Sequence, residues 1–191
     1  ICNSPSLYLG QSSQEPDSAK ALALISLVRT LLEENKKILI FTQYRQMGLK
    51  LQDWLEKTVG ERPLFLNGSV PLSLRNKMIE QFQTEPEKRL LLITLKAGGV
   101  GLNLTAASAV IHYDLWWNPA VEQQATDRAY RIGQTQDVSV YRLICEGTFE
   151  ERINDVIISK SRLAKKVSGR SDRWLGDYSQ TELEDFFKLI A

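Results

Sequence analysis

Residues 89–101, "RLLLITLKAGGVG", run without a break from an apolar segment into a loop with three glycines. A continuous apolar run is typical of a β-strand that is covered on both faces. Glycines at this density let backbone N–H groups approach a ligand, as in phosphate-binding turns, although a tight strand-to-helix turn would also need them. The stretch therefore indicates an α/β fold with a candidate ligand loop at the carboxyl end of a strand.

Similar apolar runs occur on either side of this stretch, and helical patterns separate them. In one such pattern, Met47, Leu51, Trp54 and Leu55 form a single helical stripe. Alternation of this kind predicts βαβ units, in a mostly parallel sheet with helices on both faces. The predicted strands are residues 37–43, 63–66, 89–94, 109–114 and 138–144.

The two ends of the chain are predicted to be helical. Asp17 or Ser18 can cap a first helix. After the last strand, 148–151 ("TFEE") and 179–182 ("SQTE") are capping boxes that open two further helices. We therefore expect a lobe with an N-terminal lead-in at residues 1–147 and a C-terminal helical brace at residues 148–191.

The composition excludes several classes of protein. A net charge of +1 in 191 residues is not that of a polycation, so any contact with nucleic acid has to come from a local patch. The two cysteines, Cys2 and Cys145, lie far apart without CxxC spacing, so a zinc knuckle is excluded and a reducing interior is expected. No apolar run is long enough to span a membrane, and no signal peptide is recognisable.

The stretch "DRAYRIGQ", residues 127–134, lies at the end of a helix predicted over residues 119–132. Val121, Ala125, Ala129 and Ile132 would form its apolar stripe, with Gln124, Arg128 and Arg131 beside it. A half-buried arginine needs an anionic partner. Two partners fit the spacing, namely a neighbouring carboxylate or a phosphate that the planar guanidinium binds through two oxygens.

Two other features have a structural and a functional interpretation. His112, the only histidine, lies in an apolar strand without a second imidazole or thiol nearby, so a hydrogen-bonded structural role is favoured over metal ligation, and no metal site is predicted. The exposed charges near the C-terminus are interpreted as a solvated face rather than a DNA contact. They are Lys160, Arg162, Lys165, Lys166, Arg170 and Arg173, and Arg75 has the same two interpretations.

Taken together, the motifs resemble the Swi/Snf family, the helicase-like ATPases of helicase superfamily two that translocate on double-stranded DNA. The resemblance covers almost the whole chain and is most specific in "AGGVGLNLT", "WNP" and "DRAYRIGQ". Ser4 departs from the family's usual C-N-H-P turn. The chain looks like the C-terminal RecA-like, P-loop NTPase-like lobe with its helical extension.

The resemblance implies a role for individual residues. Arg128 and Arg131 would be arginine fingers that reach the γ-phosphate of ATP held on a first lobe. Gly99, Gly101, Gln124 and Asp127 would lie at or support this nucleotide site, and Asn103 would connect it to DNA. Contacts with the DNA backbone are expected from Thr42, Gln43, Arg45, Asn67, Gly68, Ser69, Lys96 and Trp117, although Trp117 is equally acceptable as a core residue.

The resemblance also implies the partners of this lobe. Its motifs include no G-x-x-x-x-G-K-[ST] and no acidic Mg²⁺-binding pair, so ATP and Mg²⁺ would be held mainly by the first lobe and the isolated lobe would be inactive. The expected partners are double-stranded DNA, that first lobe and protein cargo on DNA. A strand-separating helicase lobe and a non-catalytic DNA-binding module remain as alternatives. The expected location is intracellular and chromosome-associated, in the cytoplasm of a prokaryote or the nucleus of a eukaryote.

Overall fold

The computed structural model describes residues 2–11, 13, 15–94, 97, 101–116 and 118–166, with side chains up to residue 158. Five parallel strands form one sheet in the order β2-β3-β1-β4-β5, which confirms all five predicted strands. The strands are β1 Ile38–Thr42, β2 Leu64–Leu66, β3 Leu90–Thr94, β4 Ala109–His112 and β5 Ser139–Arg142.

Helices lie on both faces of the sheet, as predicted. Ser18 caps the helix that follows the lead-in by accepting a hydrogen bond from the backbone N–H of Ala21. No helix among the described residues is long and apolar enough to cross a bilayer. The helices are α1 Pro5–Tyr8, α2 Ala19–Glu33, α3 Arg45–Val59, α4 Leu72–Thr84, α5 Pro119–Thr126 and α6 Phe149–Lys166.

The strands alternate their side chains between two cores, one on each face. Ile38 and Ile40 of β1 pack with the stripes of α2 and α3, whereas Leu39 and Phe41 pack with α4, α5 and residues of the loop after α5. Trp54 is among the largest fully buried side chains. The sheet is thus packed on both faces, and the loops that follow the carboxyl ends of its strands are available for function.

Helix α6 packs against the carboxyl side of the sheet through a third, small cluster. Ile153 and Ile157 contact Leu115, and Phe149 packs against the same group. The helix begins one residue after Thr148, whose hydroxyl accepts a hydrogen bond from the backbone N–H of Glu150. The second predicted capping box, at 179–182, lies outside the described residues, so the full extent of the brace stays a prediction.

Candidate functional site

The helix predicted over residues 119–132 is shorter than expected, since α5 ends at Thr126. Residues 127–134, which we call the arginine loop, form a series of turns instead. In a continuing helix the carbonyl of Arg128 would accept from Ile132, but here it accepts from the backbone N–H of Leu104 at 3.0 Å. Ile132 is therefore not on a buried stripe and is fully exposed, whereas Ala129 is buried in the core. The prediction for Ile132 was wrong.

Arg128 has a buried guanidinium without a complete set of partners. The residue is only 6% exposed, and its Nε atom is buried without a hydrogen bond. Burial lowers the pKa of Arg128, and the neighbouring charge of Arg131 lowers it further. Arginine still stays charged at neutral pH. The arginine loop therefore holds a cation in a position that disfavours its charge.

Arg131 is exposed, and it reaches back to the glycine-rich loop. Its Nη1 atom donates to the carbonyl of Gly101 at 3.2 Å. Gly101 has φ +52°, a backbone conformation that favours glycine. Within residues 101–116 and 118–158, neither Arg128 nor Arg131 forms an ion pair with a carboxylate. Of the two partners considered from the sequence, a carboxylate within ion-pair distance is thus not found in this part of the chain, although the nearby charge of Asp127 raises the pKa of Arg128.

Gln134 holds the arginine loop in place, a role that sequence reasoning missed. Its Nε2 atom donates to the carbonyls of Ala107, at 2.9 Å, and Ala129, at 3.1 Å, while its Oε1 atom accepts from the backbone N–H of Gln136. The preceding Gly133 has φ +103°, which other residues rarely adopt. The Gly-Gln pair that ends the motif was the available signal, but it says nothing of the distant carbonyl at Ala107.

The other two residues expected to support the arginines are exposed. Gln124 lies on the last turn of α5, and Asp127 follows the helix directly. The carboxylate of Asp127 accepts a hydrogen bond from Gln123 at 2.8 Å. Their supporting roles stay predictions. Gly99, together with Gly98 of the same loop, lies outside the described residues.

The segments expected to contact DNA follow neighbouring strands. Residues 43–45 come after β1 and residues 67–69 after β2, while β3, which leads to Lys96, lies between these two strands in the sheet. Because all strands are parallel, these segments meet at one carboxyl edge. Arg45, Gly68 and Ser69 are exposed there. Lys96 and Trp117 lie outside the described residues.

Thr42 differs from the expectation that it faces DNA. Its side chain is 0% exposed, and its hydroxyl donates to the carboxylate of Asp114. Gln43 also turns inward, since its Nε2 atom donates to the carbonyl of Leu115. These two side chains support the carboxyl edge from inside. Sequence reasoning missed Asp114, and the charge inside the run "IHYDLWW" was the only available signal.

Asn67 likewise shapes its loop with its side chain. Its Oδ1 atom accepts from the backbone N–H of Ser69 at 3.0 Å and from the Ser69 hydroxyl at 2.6 Å. This is an Asx turn, which leaves Gly68 and Ser69 at the tip. Asn103 is exposed on the loop before β4, and its carbonyl accepts from Gln83. Its predicted link to DNA is not tested by these contacts.

His112 is buried and lies next to the start of the arginine loop. Its ring stacks on Phe41 at 5.5 Å, and its Nε2 atom is 3.0 Å from the hydroxyl of Thr126. Burial lowers the pKa of His112 to about 4. The Thr126 hydroxyl donates to the carbonyl of Glu122, so it accepts from a neutral imidazole. This is the hydrogen bond that the structural interpretation expects.

The structure adds to the sequence interpretation of Arg75 and of the two cysteines. Arg75 is half-buried, and its Nε atom is buried without a hydrogen bond, so it is not a fully solvated charge. Cys2 and Cys145 are far apart in sequence but meet in the fold, where the thiol of Cys145 lies 3.9 Å from the carbonyl of Cys2. Both cysteines are free. Burial raises the pKa of Cys145 to about 11, so it is a poor nucleophile.

Comparison with known proteins identifies the class to which this fold and site belong. The family described as the helicase conserved C-terminal domain matches residues 19–133. YwqA of Bacillus subtilis (strain 168), named as an ATP-dependent helicase/translocase, is 48% identical over the whole chain, which covers 21% of that protein. The chromatin-remodeling ATPase INO80 of Mus musculus is 44% identical over 83% of the chain, which covers 10% of INO80.

A solved structure gives the same result. The Sulfolobus solfataricus SWI2/SNF2 ATPase core in complex with dsDNA superposes with a TM-score of 0.80 and 36% identity, covering 98% of this chain and 39% of that one. The chain thus belongs to the helicase conserved C-terminal domain family, as the RecA-like C-terminal lobe of a Swi2/Snf2-type ATPase. It spans from about a tenth to two fifths of the length of these relatives.

Proposed function

We propose that this chain is the second motor lobe of an ATP-dependent double-stranded DNA translocase, and that it supplies arginine fingers to ATP bound on the first lobe. The observation that carries this proposal is the buried guanidinium of Arg128, whose Nε atom lacks a partner within the described residues. An unpaired buried cation is costly, so its retention favours an anion that arrives from outside.

The two arginines would act together on the γ-phosphate. Phosphoryl transfer to water spreads negative charge over the γ-phosphate oxygens, and a positioned guanidinium stabilises that charge. Gly101 holds Arg131 by its carbonyl, and Gln134 holds the backbone around Arg128. Both contacts orient the side chains before ATP arrives, which lowers the cost of reorganisation during the reaction.

The divalent ion of this reaction would be held elsewhere. Mg²⁺ prefers carboxylate and phosphate oxygens. The arginine loop offers two guanidinium groups and one carboxylate, Asp127, which is hydrogen-bonded to Gln123. The donor set in this part of the described chain therefore fits phosphate oxygens and not the cation, which supports a Mg²⁺ ion bound on the first lobe with ATP.

The carboxyl edge of β2, β3 and β1 would hold the phosphate backbone of duplex DNA. Exposed Arg45 provides a charge, and the Asx turn at Asn67 presents Gly68 and Ser69. Backbone contacts of this kind carry no sequence information, as tracking along DNA requires. The relative solved with dsDNA has this same fold.

Hydrolysis and movement would be coupled through the segment between β3 and β4. It begins at the carboxyl end of β3, beside the proposed DNA contacts. Further along, the N–H of Leu104 bonds to Arg128, and the carbonyl of Ala107 accepts from Gln134. One segment therefore reaches both proposed sites, and a shift of the arginine loop on cleft closure would be felt at the DNA edge.

The test is ATP hydrolysis by the full-length protein that carries this lobe, alone and with duplex DNA, single-stranded DNA or RNA. We expect strong stimulation by duplex DNA only. A preference for single strands or RNA would identify a strand-separating helicase instead. No turnover under any condition would identify a non-catalytic binding module.

A further inference from the structure

A single buried carboxylate, that of Asp114, organises the end of β1. Asp114 is 3% exposed and lies just after β4. One of its oxygens accepts from the hydroxyl of Thr42 and from the backbone N–H of Gln43, at 2.9 Å. The other accepts from the side-chain amide of Asn3. The acceptor thus holds the backbone at the point where β1 turns into the proposed DNA-contacting segment.

The same network continues away from the sheet. The Oδ1 atom of Asn3 accepts from the ammonium of Lys20 at 3.2 Å, and Lys20 forms a buried ion pair with Glu150 in the first turn of α6. Glu150 also accepts from the backbone N–H of Cys145 at 2.9 Å. The chain of contacts therefore runs from the carboxyl edge of β1, through the lead-in and α2, to the start of α6.

The charges of this network explain why its members depend on one another. Two carboxylates, Asp114 and Glu150, and one ammonium, Lys20, are buried together. In a low-dielectric interior each charge needs the others and their hydrogen bonds, so a change at one position is felt along the network. The three charged members are each buried, so none of them can itself contact DNA or a nucleotide.

We infer that Asp114 is a positioning residue for the DNA-contacting segment, residues 43–45, and that the Lys20–Glu150 pair ties this segment to the start of α6. Asp114 acts through Thr42 and the backbone of Gln43, and it sets where Arg45 meets the phosphate backbone. A displacement of α6 would then change the affinity for DNA. This inference rests on the proposed function, because it takes the segment to be a DNA contact.

The test measures the affinity of the full-length protein for duplex DNA at several salt concentrations. The slope of log K against log [salt] is negative, and loss of one phosphate contact lowers its magnitude, which we call the slope below, by about one. Arg45→Ala is the reference, and we expect this change of slope with about a ten-fold loss of affinity. Asp114→Asn leaves one acceptor oxygen and is expected to give the same two changes, with little further loss in the double variant.

The matched control is Asp17→Asn. Asp17, like Asp114, is a carboxylate that holds backbone and hydroxyl groups, but it lies in the lead-in. It accepts from the hydroxyl of Ser4 and the backbone N–H of Ser6, and it has no hydrogen bond to the DNA-contacting segment. We expect it to lower the melting temperature without changing the slope. Thr42→Val removes one donor to Asp114 and the 3.4 Å hydrogen bond that the Thr42 hydroxyl accepts from the backbone N–H of Tyr44. It provides a milder variant if Asp114→Asn does not fold, and it should change the slope in the same direction.

The outcomes separate this inference from the function on which it rests. If Arg45→Ala leaves the slope unchanged, the segment is no DNA contact, and both fail. If Arg45→Ala lowers the slope while folded Asp114→Asn and Thr42→Val do not, the inference alone is overturned. For the link to α6, Glu150→Gln should weaken DNA binding several-fold with a lower slope, and normal binding by this variant would remove that link.

Discussion

The arginine loop and the carboxyl edge of β1 and β2 use their polar side chains in opposite ways. In the loop, Arg128 is buried with an Nε atom that has no partner among the described residues, and the guanidinium of Arg131 donates to a backbone carbonyl. At the edge, Thr42, Gln43 and Asn67 all direct their side chains to partners inside the protein. The loop therefore leaves a buried cation only partly satisfied within the described residues, whereas these side chains of the edge are hydrogen-bonded inside the protein.

This difference separates two kinds of binding. A site that stabilises a transient charge needs cations held ready in a poorly hydrated position, even at a cost in stability. A surface that slides on DNA needs a rigid shape with few strong side-chain contacts, since each of them would have to break at every step. We therefore expect substitutions in the loop to change turnover and those at the edge to change affinity.

The largest expected effect is that of Arg128→Ala. We expect ATP turnover by the full-length protein to fall by about 10³-fold or more, since the γ-phosphate loses a finger. The free energy of unfolding should not fall, because the variant removes a buried charge with an unpartnered atom. Arg62→Ala, which removes an exposed ion-paired arginine of the α3 side, is the control and should retain full turnover. A marked loss of stability in Arg128→Ala would show that Arg128 has a structural role, and the proposed difference between the arginine loop and the carboxyl edge would then be wrong.

Lys20→Met is expected to have the largest effect on stability. Lys20 and Glu150 are both almost fully buried, and removal of one partner leaves an uncompensated charge at a cost of about 3–5 kcal/mol. Urea-induced unfolding measures this change. Lys36→Met, which breaks the partly exposed pair with Glu34, is the control and should be close to neutral. Equal losses of unfolding free energy in the two variants would mean that the buried Lys20–Glu150 pair contributes no more to stability than a surface ion pair.

Acid should lower the free energy of unfolding through His112, which lies next to the arginine loop. The folded pKa is about 4 against an ordinary 6.5, so the unfolded chain binds a proton that the folded chain excludes between these values. The contribution of His112 to the free energy of unfolding is fully present above pH 6.5. It is lost as the pH falls towards 4, by about 3 kcal/mol at most. In urea unfolding, the free energy of unfolding should fall less steeply between pH 7 and 5 for His112→Gln than for the unsubstituted protein. Equal slopes for the two proteins would show that His112 titrates normally.

The smallest expected effect is that of Asn67→Ala at the carboxyl edge. The variant loses the hydrogen bonds that shape residues 67–69, so affinity for duplex DNA should fall about three- to five-fold with turnover at saturating DNA unchanged. Asn76→Ala on the exposed face of α4 is the control. A loss of turnover at saturating DNA would mean that the two regions are not separate in function.

The sequence predicted the sheet because its strands are local, continuous apolar runs. It could not predict where α5 ends, because the carbonyl of Arg128 is taken by Leu104, a tertiary contact that overrides helical periodicity. It also placed Thr42 on the surface, since the buried acceptor Asp114 lies far along the chain. The arginines themselves were predicted from resemblance and spacing. That neither arginine forms an ion pair with a carboxylate of the described residues could be learned only from the fold.

The proposed role of the arginine loop in ATP hydrolysis can be measured on the full-length protein and its Arg131→Ala variant, each with and without saturating duplex DNA. We expect strong stimulation of the unsubstituted protein by duplex DNA and almost no turnover in Arg131→Ala, with DNA affinity preserved. Normal turnover in Arg131→Ala would contradict the assignment of the arginine loop to ATP.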